Sequence, residues 1–335
     1  VEGQLRTGYL GNAASQPESR TAFVSIRECP VGAPVLWRTA EAFLELVNAD
    51  SDPWLRTPQL VPDQLEIFAS ADESRLNLTL YLRTSAKALP ATLAPAFGYL
   101  CEALQARIPE LTGAGIALLP AASPQRSRRS ETTRPGPTWG ARGLNYSIPD
   151  GERITENGQL SYWVPRTAFF QINRFLLPEL LGLVSRQANI SPDPQLAWDL
   201  YAGVGLFSKA LAANFGQVIA VEIAEQAFAA LAATKLPNLV AVQATTLDFL
   251  RAAVVQRERP SLIVLDPPRT GAGPEVCALL ARIAAPTLVY VSCSPQTLPA
   301  DLAILTGSGY AVAELHLFDL FPQTTHIETV AILTR

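Results

Sequence analysis

Methionine is absent from this 335-residue sequence, which begins at Val1. We expect one of two explanations for this absence. Either the chain is part of a longer protein and lacks methionine by chance, or modified residues have been lost from the sequence. In the second case, the spacing between two motifs would be short by a residue.

Cysteine is scarce as well, with four residues, at positions 29, 101, 277 and 293, and no close pair among them. This pattern excludes a dense disulfide framework and predicts a reducing compartment, the cytoplasm. No run of about 18 apolar residues is free of charges or helix breakers, so neither a transmembrane helix nor a membrane partner is expected. A charged segment followed by an apolar one is missing at the start, so no signal peptide is expected.

Charge is also sparse: charged residues make up 17% of the chain and the net charge is −4. This balance argues against nucleic-acid binding by the whole surface. One local exception is the strip 126–142, which carries five arginines and one acid. The strip is either a solvated linker or a surface that contacts phosphates.

The length suits two domains, and the 48% of hydrophobic residues suffice for a large core. Residues 1–120 have the pattern of an α+β accessory domain, and residues 121–164 that of a linker, over 121–140, followed by a β-rich return. The third segment, 165–335, contains regular strand–helix alternation from about residue 191. This alternation predicts an α/β, doubly wound, Rossmann-like parallel sheet, with an antiparallel strand at its edge.

A glycine-containing turn follows the first strand of this alternation, from Asp199 through Tyr201, Gly203 and Gly205. Glycines there permit a tight turn and close approach of the backbone to a ligand. Glu222 ends the next strand, where an acid can bind ribose hydroxyls. This acid–glycine–acid pattern suits S-adenosylmethionine. Ser208 stands at the third glycine position of the dinucleotide motif, which disfavours a nicotinamide oxidoreductase.

Three further groups lie at predicted strand ends. Asp266 begins a stiff Asp-Pro-Pro-Arg loop that would form a wall of the site. Cys293 ends the strand before Pro295, and a cysteine in that place is either a nucleophile or a small core residue. His326 and Glu328 would share one face if extended, and by itself Glu328 is expected to be a surface acid.

Five motifs in this order resemble the S-adenosylmethionine-dependent RNA uracil-5 methyltransferases, which act on transfer RNA and 23S ribosomal RNA. The resemblance covers residues 165–335 strongly and the preceding residues loosely, and it implies that the accessory domain, residues 1–120, contacts RNA. The motifs are Phe170-Gln171-Ile172-Asn173, Asp199-Leu200-Tyr201-Ala202-Gly203-Val204-Gly205, Asp266-Pro267-Pro268-Arg269, Ser292-Cys293-Ser294-Pro295 and Phe321-Pro322-Gln323-Thr324-Thr325-His326-Ile327-Glu328.

This resemblance implies a class I methyltransferase fold and a function: methyl transfer to uridine C5 in RNA, ribosomal RNA being preferred over transfer RNA. Cys293 would attack uracil C6 to form a covalent adduct, and Glu328 would be the base that removes the C5 proton. The target base would have to leave its stack. The resemblance and the glycine pattern together assign the cofactor site to Gln171, Asp199, Tyr201, Gly203, Gly205, Glu222 and Asp266.

The sequence departs from the family pattern at several positions. The family usually has Asn at position 206, where it contacts the cofactor, and an acid or amide near position 245; this chain has Leu206 and Thr245. Asn is also usual at Ser294, and Cys at Ala202. The departures at positions 206 and 245 predict weaker cofactor binding, whereas the nucleophile Cys293 and the base Glu328 are retained.

Many family members carry an N-terminal RNA-binding barrel and an iron–sulfur cluster held by three close cysteines and a later Cys-Pro. Cys29-Pro30 resembles the later site, and no three-cysteine group precedes it. Cys29 is therefore either a structural cysteine or a metal ligand whose 4Fe–4S cluster forms only in a longer protein.

Two other functions stay open at this point. A cytosine-5 methyltransferase is disfavoured because DNA cytosine enzymes place the nucleophilic Cys directly after a Pro in the fourth-strand motif, where this chain has Arg269. An RNA-binding module with impaired catalysis is the other, suggested by Leu206 and Thr245. Binding of S-adenosylmethionine would separate the enzyme from the module.

Overall fold

A computed structural model describes residues 6, 8–12, 21–26, 29, 31–49, 62–86, 88–120, 133–149, 158–190 and 195–335. The chain divides into two units, Val1–Leu144 and Asn145–Arg335, each with its own set of internal contacts. The domain boundaries expected at residues 120 and 164 stay a prediction. No helix in the described ranges is both long enough and apolar enough to cross a membrane.

The first unit contains a two-stranded and a four-stranded sheet with two helices. Its elements are β1 (Gly8–Asn12), β2 (Thr21–Ser25), α1 (Pro34–Asn48), β3 (Gln64–Ala69), β4 (Leu76–Arg83), α2 (Leu93–Arg107), β5 (Leu111–Leu119) and β6 (Arg134–Gly140). The larger sheet has the order β3-β4-β5-β6, and β4 and β5 are parallel. Parallel neighbours need a crossover connection, and α2 supplies it.

Alternation along β4 builds the core of this unit. Leu76, Leu78 and Leu80 are all fully buried, on one face of the strand. They pack in one apolar cluster with residues of α1 and α2, including Phe43 and Phe97. The face of β4 that carries these leucines therefore packs against the helices.

The first unit differs from the sequence prediction at residues 134–140. We predicted a linker over residues 121–140, which are rich in Ser, Arg, Thr and Pro, but residues 134–140, including Pro135 and Pro137, form β6, antiparallel to β5. Proline is tolerated on an edge strand, since one side of that strand needs no backbone donors. β6 lies at the sheet edge, which explains how the prolines fit. Residues 121–132 lie outside the described residues.

The second unit is built on a seven-stranded sheet. Its elements are β7 (Gly143–Pro149), β8 (Gln159–Pro165), α3 (Leu177–Ile190), β9 (Leu196–Leu200), α4 (Leu206–Ala212), β10 (Gln217–Glu222), α5 (Glu225–Ala232), β11 (Leu239–Gln243), α6 (Thr246–Gln256), β12 (Leu262–Leu265), α7 (Pro274–Ile283), β13 (Thr287–Ser292), α8 (Leu298–Gly307), β14 (Ala311–Phe318) and β15 (Glu328–Thr334). β7, whose first two residues belong to the other unit, pairs with β8 in a separate two-stranded sheet.

The strand order is β11-β10-β9-β12-β13-β15-β14, with β15 antiparallel to both neighbours and the other described pairs parallel. Consecutive residues of β10, Ala220 and Val221, belong to two different apolar clusters. Because consecutive side chains point to opposite faces of a strand, both faces of the sheet are covered. The predicted doubly wound α/β fold with an antiparallel edge strand is confirmed.

Asn173 sets the start of α3, which begins at Leu177. The Asn173 side-chain oxygen accepts hydrogen bonds from the backbone N–H groups of Phe175 and Leu176. An Asn side chain that binds the backbone in this way delays the start of a helix.

Candidate active site

The site lies where strands β9, β10, β12 and β13 end and β15 begins. Ligands of open α/β sheets bind at the carboxyl ends of their strands. The antiparallel strand β15 pairs Thr329 with Ser292. Its first residue, Glu328, therefore lies one position beyond the end of β13, level with Cys293.

Cys293 follows β13 directly and is half-buried. A tight turn holds it: Ser294 N donates to Ser292 Oγ at 3.2 Å, and Ser292 Oγ donates to the Ser294 carbonyl at 3.3 Å. Burial raises the pKa of the Cys293 thiol, and the charges of Glu328 and Asp266 raise it further. The thiol is thus not enclosed in the core, which was the alternative interpretation of this cysteine.

Glu328 is fully buried, with 0% of its surface exposed. The expectation of a surface acid is wrong, because pairing of β15 between β13 and β14 encloses its first residue. Burial raises the pKa of Glu328 to about 7, while Gln171 and Arg269 favour its charged form. Within the described chain, neither oxygen of Glu328 has a partner in good hydrogen-bond geometry. A buried acid that titrates near neutrality is suited to proton transfer.

The positive charge of Arg269 acts on both Cys293 and Glu328. The guanidinium lies close enough to the Cys293 thiol for its positive charge to oppose the rise in the thiol pKa. Its Nη2 atom lies 3.3 Å from His326 Nε2. The sequence placed Arg269 only in a wall of the site. The Asp-Pro-Pro-Arg motif was the available signal, but the contact with Cys293 depends on tertiary structure.

The glycine turn adopts the left-handed backbone that its sequence predicts. Tyr201, Gly203 and Gly205 have φ values of 62°, 57° and 92°. A Cβ atom on Gly203 would meet no atom within 4 Å, whereas one on Gly205 would lie 2.8 Å from Leu231 Cδ1. Gly203 therefore borders open space that a ligand can use, and Gly205 permits packing of a helix.

Glu222 holds this turn through both of its carboxylate oxygens. Oε2 accepts a hydrogen bond from Gly203 N at 2.8 Å, and Oε1 accepts one from Ala224 N at 2.6 Å. A carboxylate has about four acceptor positions, so two remain for ligand hydroxyls. Thus Glu222 both fixes the turn and can contact a ribose.

Two further acids lie at the same edge. Asp199 is fully buried and accepts a hydrogen bond from Ser208, the residue at the missing third glycine position. Burial raises the pKa of Asp199 to about 7. Asp266 is half-buried, and burial together with the charges of Glu328 and Asp199 raises its pKa well above the usual value. Acids that repel one another in this way favour a cationic ligand.

The residues present fit the adenosyl sulfonium cofactor expected from the sequence. Asp199 Oδ1 and Gln171 Oε1 are buried and have no hydrogen-bond partner within the described chain. Such atoms usually mark a missing ligand or water. These two atoms offer polar partners for a ligand, the space beside Gly203 leaves room for it, and the acids Asp199, Glu222 and Asp266 supply negative charge for a cation.

Two of the family departures have structural roles here. The Leu206 side chain is buried, and its carbonyl accepts a hydrogen bond from Tyr162. Thr245 caps α6, because its Oγ1 accepts from Asp248 N at 3.0 Å. Weaker cofactor binding caused by Leu206 and Thr245 stays a prediction.

The remaining predicted features lie away from this edge or outside the described residues. Cys29 is described, but no group of three or more potential metal ligands occurs among the residues with known positions; its role in a cluster stays a prediction. Of the basic strip, Arg126, Arg128 and Arg129 lie outside the described residues. Arg134 donates to the Ala86 carbonyl within the first unit.

Comparison with known proteins identifies relatives of the second unit. A model of the family described as tRNA (uracil-5-)-methyltransferase matches residues 151–335. An uncharacterized RNA methyltransferase of Thermotoga maritima is 39% identical over 190 residues, which are 56% of this chain and 42% of that protein. A 23S rRNA (uracil(747)-C(5))-methyltransferase RlmC of Xenorhabdus nematophila is 35% identical over 183 residues, 53% of this chain and 47% of that protein. The chain thus spans about half the length of these curated relatives.

A solved structure shares the fold over most of the chain. It is the Pyrococcus abyssi tRNA (uracil-54, C5)-methyltransferase in complex with S-adenosyl-L-homocysteine, with a TM-score of 0.65 and 20% identity. The alignment covers 93% of this chain and 70% of that structure. At this level of identity the similarity concerns the fold.

Proposed function

Because this chain belongs to the tRNA (uracil-5-)-methyltransferase family, we propose that it methylates C5 of a uridine in RNA with S-adenosylmethionine. The pairing of a half-buried Cys293 thiol with the fully buried Glu328 carboxyl supports this reaction most directly. The name of the Xenorhabdus relative favours ribosomal RNA over transfer RNA as substrate. No disulfide joins the four cysteines, all of which are described, and this suits a reducing cytoplasm.

We place the cofactor against the glycine turn. S-adenosylmethionine supplies, when bound, a methyl group on a positively charged sulfur. Glu222 would accept hydrogen bonds from the ribose hydroxyls at its two remaining acceptor positions. Gly203 leaves the space that the ligand needs. Asp199, Asp266 and Gln171 would orient the cationic part, the two aspartates would offset its charge, and Tyr201 would contact the cofactor from within the turn.

Cys293 would activate the uracil, whose C5 is a poor nucleophile. Attack of its thiolate on C6 forms the Sγ–C6 bond and moves the C5–C6 π electrons towards C5 and O4. C5 would then carry the electron density needed to accept the methyl group that S-adenosylmethionine would supply when bound. Arg269, which lies against the thiol, favours the thiolate over the thiol.

Glu328 would complete the reaction as the base. It accepts the proton from C5, the C5–C6 double bond forms again, and Cys293 leaves as the thiolate. A pKa of about 7 leaves a large share of Glu328 ionised at neutral pH. The buried position also keeps competing water away from the adduct.

The RNA would meet an exposed apolar segment beside Gln171. Phe169, Ile172 and Phe175 are exposed, and the Arg174 guanidinium lies over the Phe175 ring at 5.2 Å. Asn173 ties this segment to the Leu320 carbonyl, near the start of the last motif, at 3.1 Å. Unstacked bases bind aromatic side chains and arginine planes, so this segment suits a single-stranded target with a flipped uridine.

Covalent trapping tests the function. RNA that carries 5-fluorouridine, incubated with the protein and S-adenosylmethionine, should form an adduct that survives denaturing electrophoresis, because fluorine cannot leave as a proton. The variant Cys293→Ala should form none. The matched control Cys29→Ser, at the other half-buried cysteine, should form the adduct as the wild type does.

Two outcomes would overturn this function. One is an adduct that persists in Cys293→Ala. The other is a wild-type chain that binds S-adenosylmethionine in isothermal titration but traps neither ribosomal nor transfer RNA containing 5-fluorouridine.

A further inference from the structure

Asp301 is a buried carboxylate that the proposed reaction does not use. It lies in the first turn of α8, and only 4% of its surface is exposed. It accepts three hydrogen bonds, from Tyr290 Oη at 2.6 Å, Ala272 N at 2.8 Å and Gly273 N at 3.2 Å. Within the described chain it forms no salt bridge. Burying a carboxylate without a cation is costly, and hydrogen bonds of this kind must offset the cost.

The two backbone donors belong to the loop 269–273, which we call the Arg269 loop. Gly271 and Gly273 in this loop have φ values of 80° and 83°. A Cβ atom on Gly271 would lie 2.7 Å from Asp301 Oδ2, so the loop backbone touches the carboxylate. Thr297, the residue before α8, adds a second attachment by donating from Oγ1 to the Arg269 carbonyl at 3.2 Å.

The same helix therefore fixes both partners of the Arg269–Cys293 contact. Cys293 precedes α8 by a few residues, and the first turn of α8 holds the Arg269 loop. The charged groups that face the Cys293 thiol are Glu328 from β15 and Asp266 and Arg269 from the segment after β12. Arg269 is the cation among them, so its position controls how well a thiolate is tolerated.

We propose that Asp301 is a positioning residue that holds the Arg269 loop so that the guanidinium lies against the Cys293 thiol. This role rests on the proposed function of Cys293 as the nucleophile. Tyr290, which donates to this carboxylate, stays protonated because burial raises the pKa of its hydroxyl. Asp301 is then the acceptor at the centre of a network whose other members donate.

Alkylation of Cys293 by iodoacetamide as a function of pH tests this role, with the Cys293 peptide quantified by mass spectrometry. We expect Asp301→Asn to slow alkylation about tenfold near neutral pH, the change in thiolate fraction that one pKa unit produces. The whole pH profile should move to higher pH. Arg269→Ala should move it in the same direction, and the double variant should differ little from Arg269→Ala alone.

A stability control separates positioning from a general structural role. Leu305→Ala removes a fully buried side chain of the same helix, and should lower Tm without moving the pH profile of Cys293. If Asp301→Asn does not fold, Tyr290→Phe and Thr297→Val each remove one attachment and should each move the profile by a smaller amount. A profile unchanged in Asp301→Asn, or in both of these variants, would overturn the role.

The alkylation needs neither RNA nor a methyl donor. If the chain traps no RNA but the Asp301→Asn profile still shifts, the proposed function fails and the positioning role stands. If RNA is trapped and the profile does not shift, the positioning role fails alone.

Discussion

The two units differ in how they accommodate carboxylates. In the first unit, acids lie at the surface beside arginines, in the pairs Arg38–Glu110 at 2.7 Å, Arg83–Asp63 at 3.3 Å and Arg107–Glu45 at 3.0 Å. All buried carboxylates of the described chain, Asp199, Asp301 and Glu328, belong to the second unit. None of these three forms a salt bridge with a described residue.

This difference separates packing from function. Surface pairs contribute up to about 1 kcal/mol each, and the core of the first unit depends on apolar contacts such as those of Leu78. Buried acids without a cation cost several kcal/mol, and strongly shifted groups of this kind concentrate at functional sites. The second unit therefore gives up stability at the positions where the proposed reaction uses charged groups.

The largest expected effect is on turnover and concerns a buried acid. Glu328→Gln should reduce methyl transfer by about 10²–10⁴-fold, the contribution typical of a general base. The adduct should then accumulate on ordinary uridine RNA, because formation still occurs and elimination does not. Labelled methyl transfer and denaturing electrophoresis measure the two quantities.

The control for this variant is Glu275→Gln, which changes an exposed acid of the same unit beside Arg251. It should leave both the rate and the adduct unchanged. Wild-type turnover in Glu328→Gln would remove the distinction between buried and surface acids.

A second effect concerns the apolar cores. Leu78→Ala in the first unit should cost about 2–5 kcal/mol of unfolding free energy and leave S-adenosylmethionine affinity unchanged, because the cluster around Leu78 lies within that unit. Urea unfolding and isothermal titration measure these two quantities.

The matched change in the second unit is Leu265→Ala, also fully buried and directly before Asp266. It should cost a similar free energy and also weaken binding of the methyl donor. Equal affinities for the donor in the two variants would contradict the division of roles between the units.

The smallest effect is on how the free energy of unfolding depends on pH, and its sign is opposite for Glu328 in the second unit and Glu110 in the first. The pKa of Glu328 is about 7 in the folded protein, against 4.5 ordinarily, so the native state holds this proton more tightly. Stability is then greatest below the ordinary value and falls as pH rises towards and through 7. Glu328→Gln should remove this loss. Its free energy of unfolding, relative to wild type, should therefore rise by up to about 3 kcal/mol from acid to alkaline pH.

Glu110 in the first unit should behave in the reverse way. Its hydrogen bond to Arg38 lowers the pKa of its carboxyl, so its contribution is present above the ordinary value and is lost as pH falls. Glu110→Gln should cost less than about 1 kcal/mol near neutral pH and nothing in acid. Unfolding free energies of both variants should match wild type in acid, and as pH rises that of Glu328→Gln should exceed wild type while that of Glu110→Gln falls below it.

Much of the fold follows from local patterns in the sequence. The strand–helix alternation after residue 191 predicted the doubly wound parallel sheet and its antiparallel edge strand, because strand and helix periods are properties of adjacent side chains. The predicted linker at 134–140 was wrong for a non-local reason: the prolines of β6 are tolerated only because that strand lies at a sheet edge.

The sequence by itself determined which residues occur at the ends of strands, among them Asp199, Glu222, Asp266 and Cys293, since a strand end is marked by its own neighbours. Tertiary structure alone decided the burial of Glu328, the contact of Arg269 with Cys293 and the attachment of the Arg269 loop to Asp301. Each of these depends on antiparallel register or on packing between elements distant in the chain, and burial, which sets the pKa of a carboxyl, is a property of all the surrounding elements together.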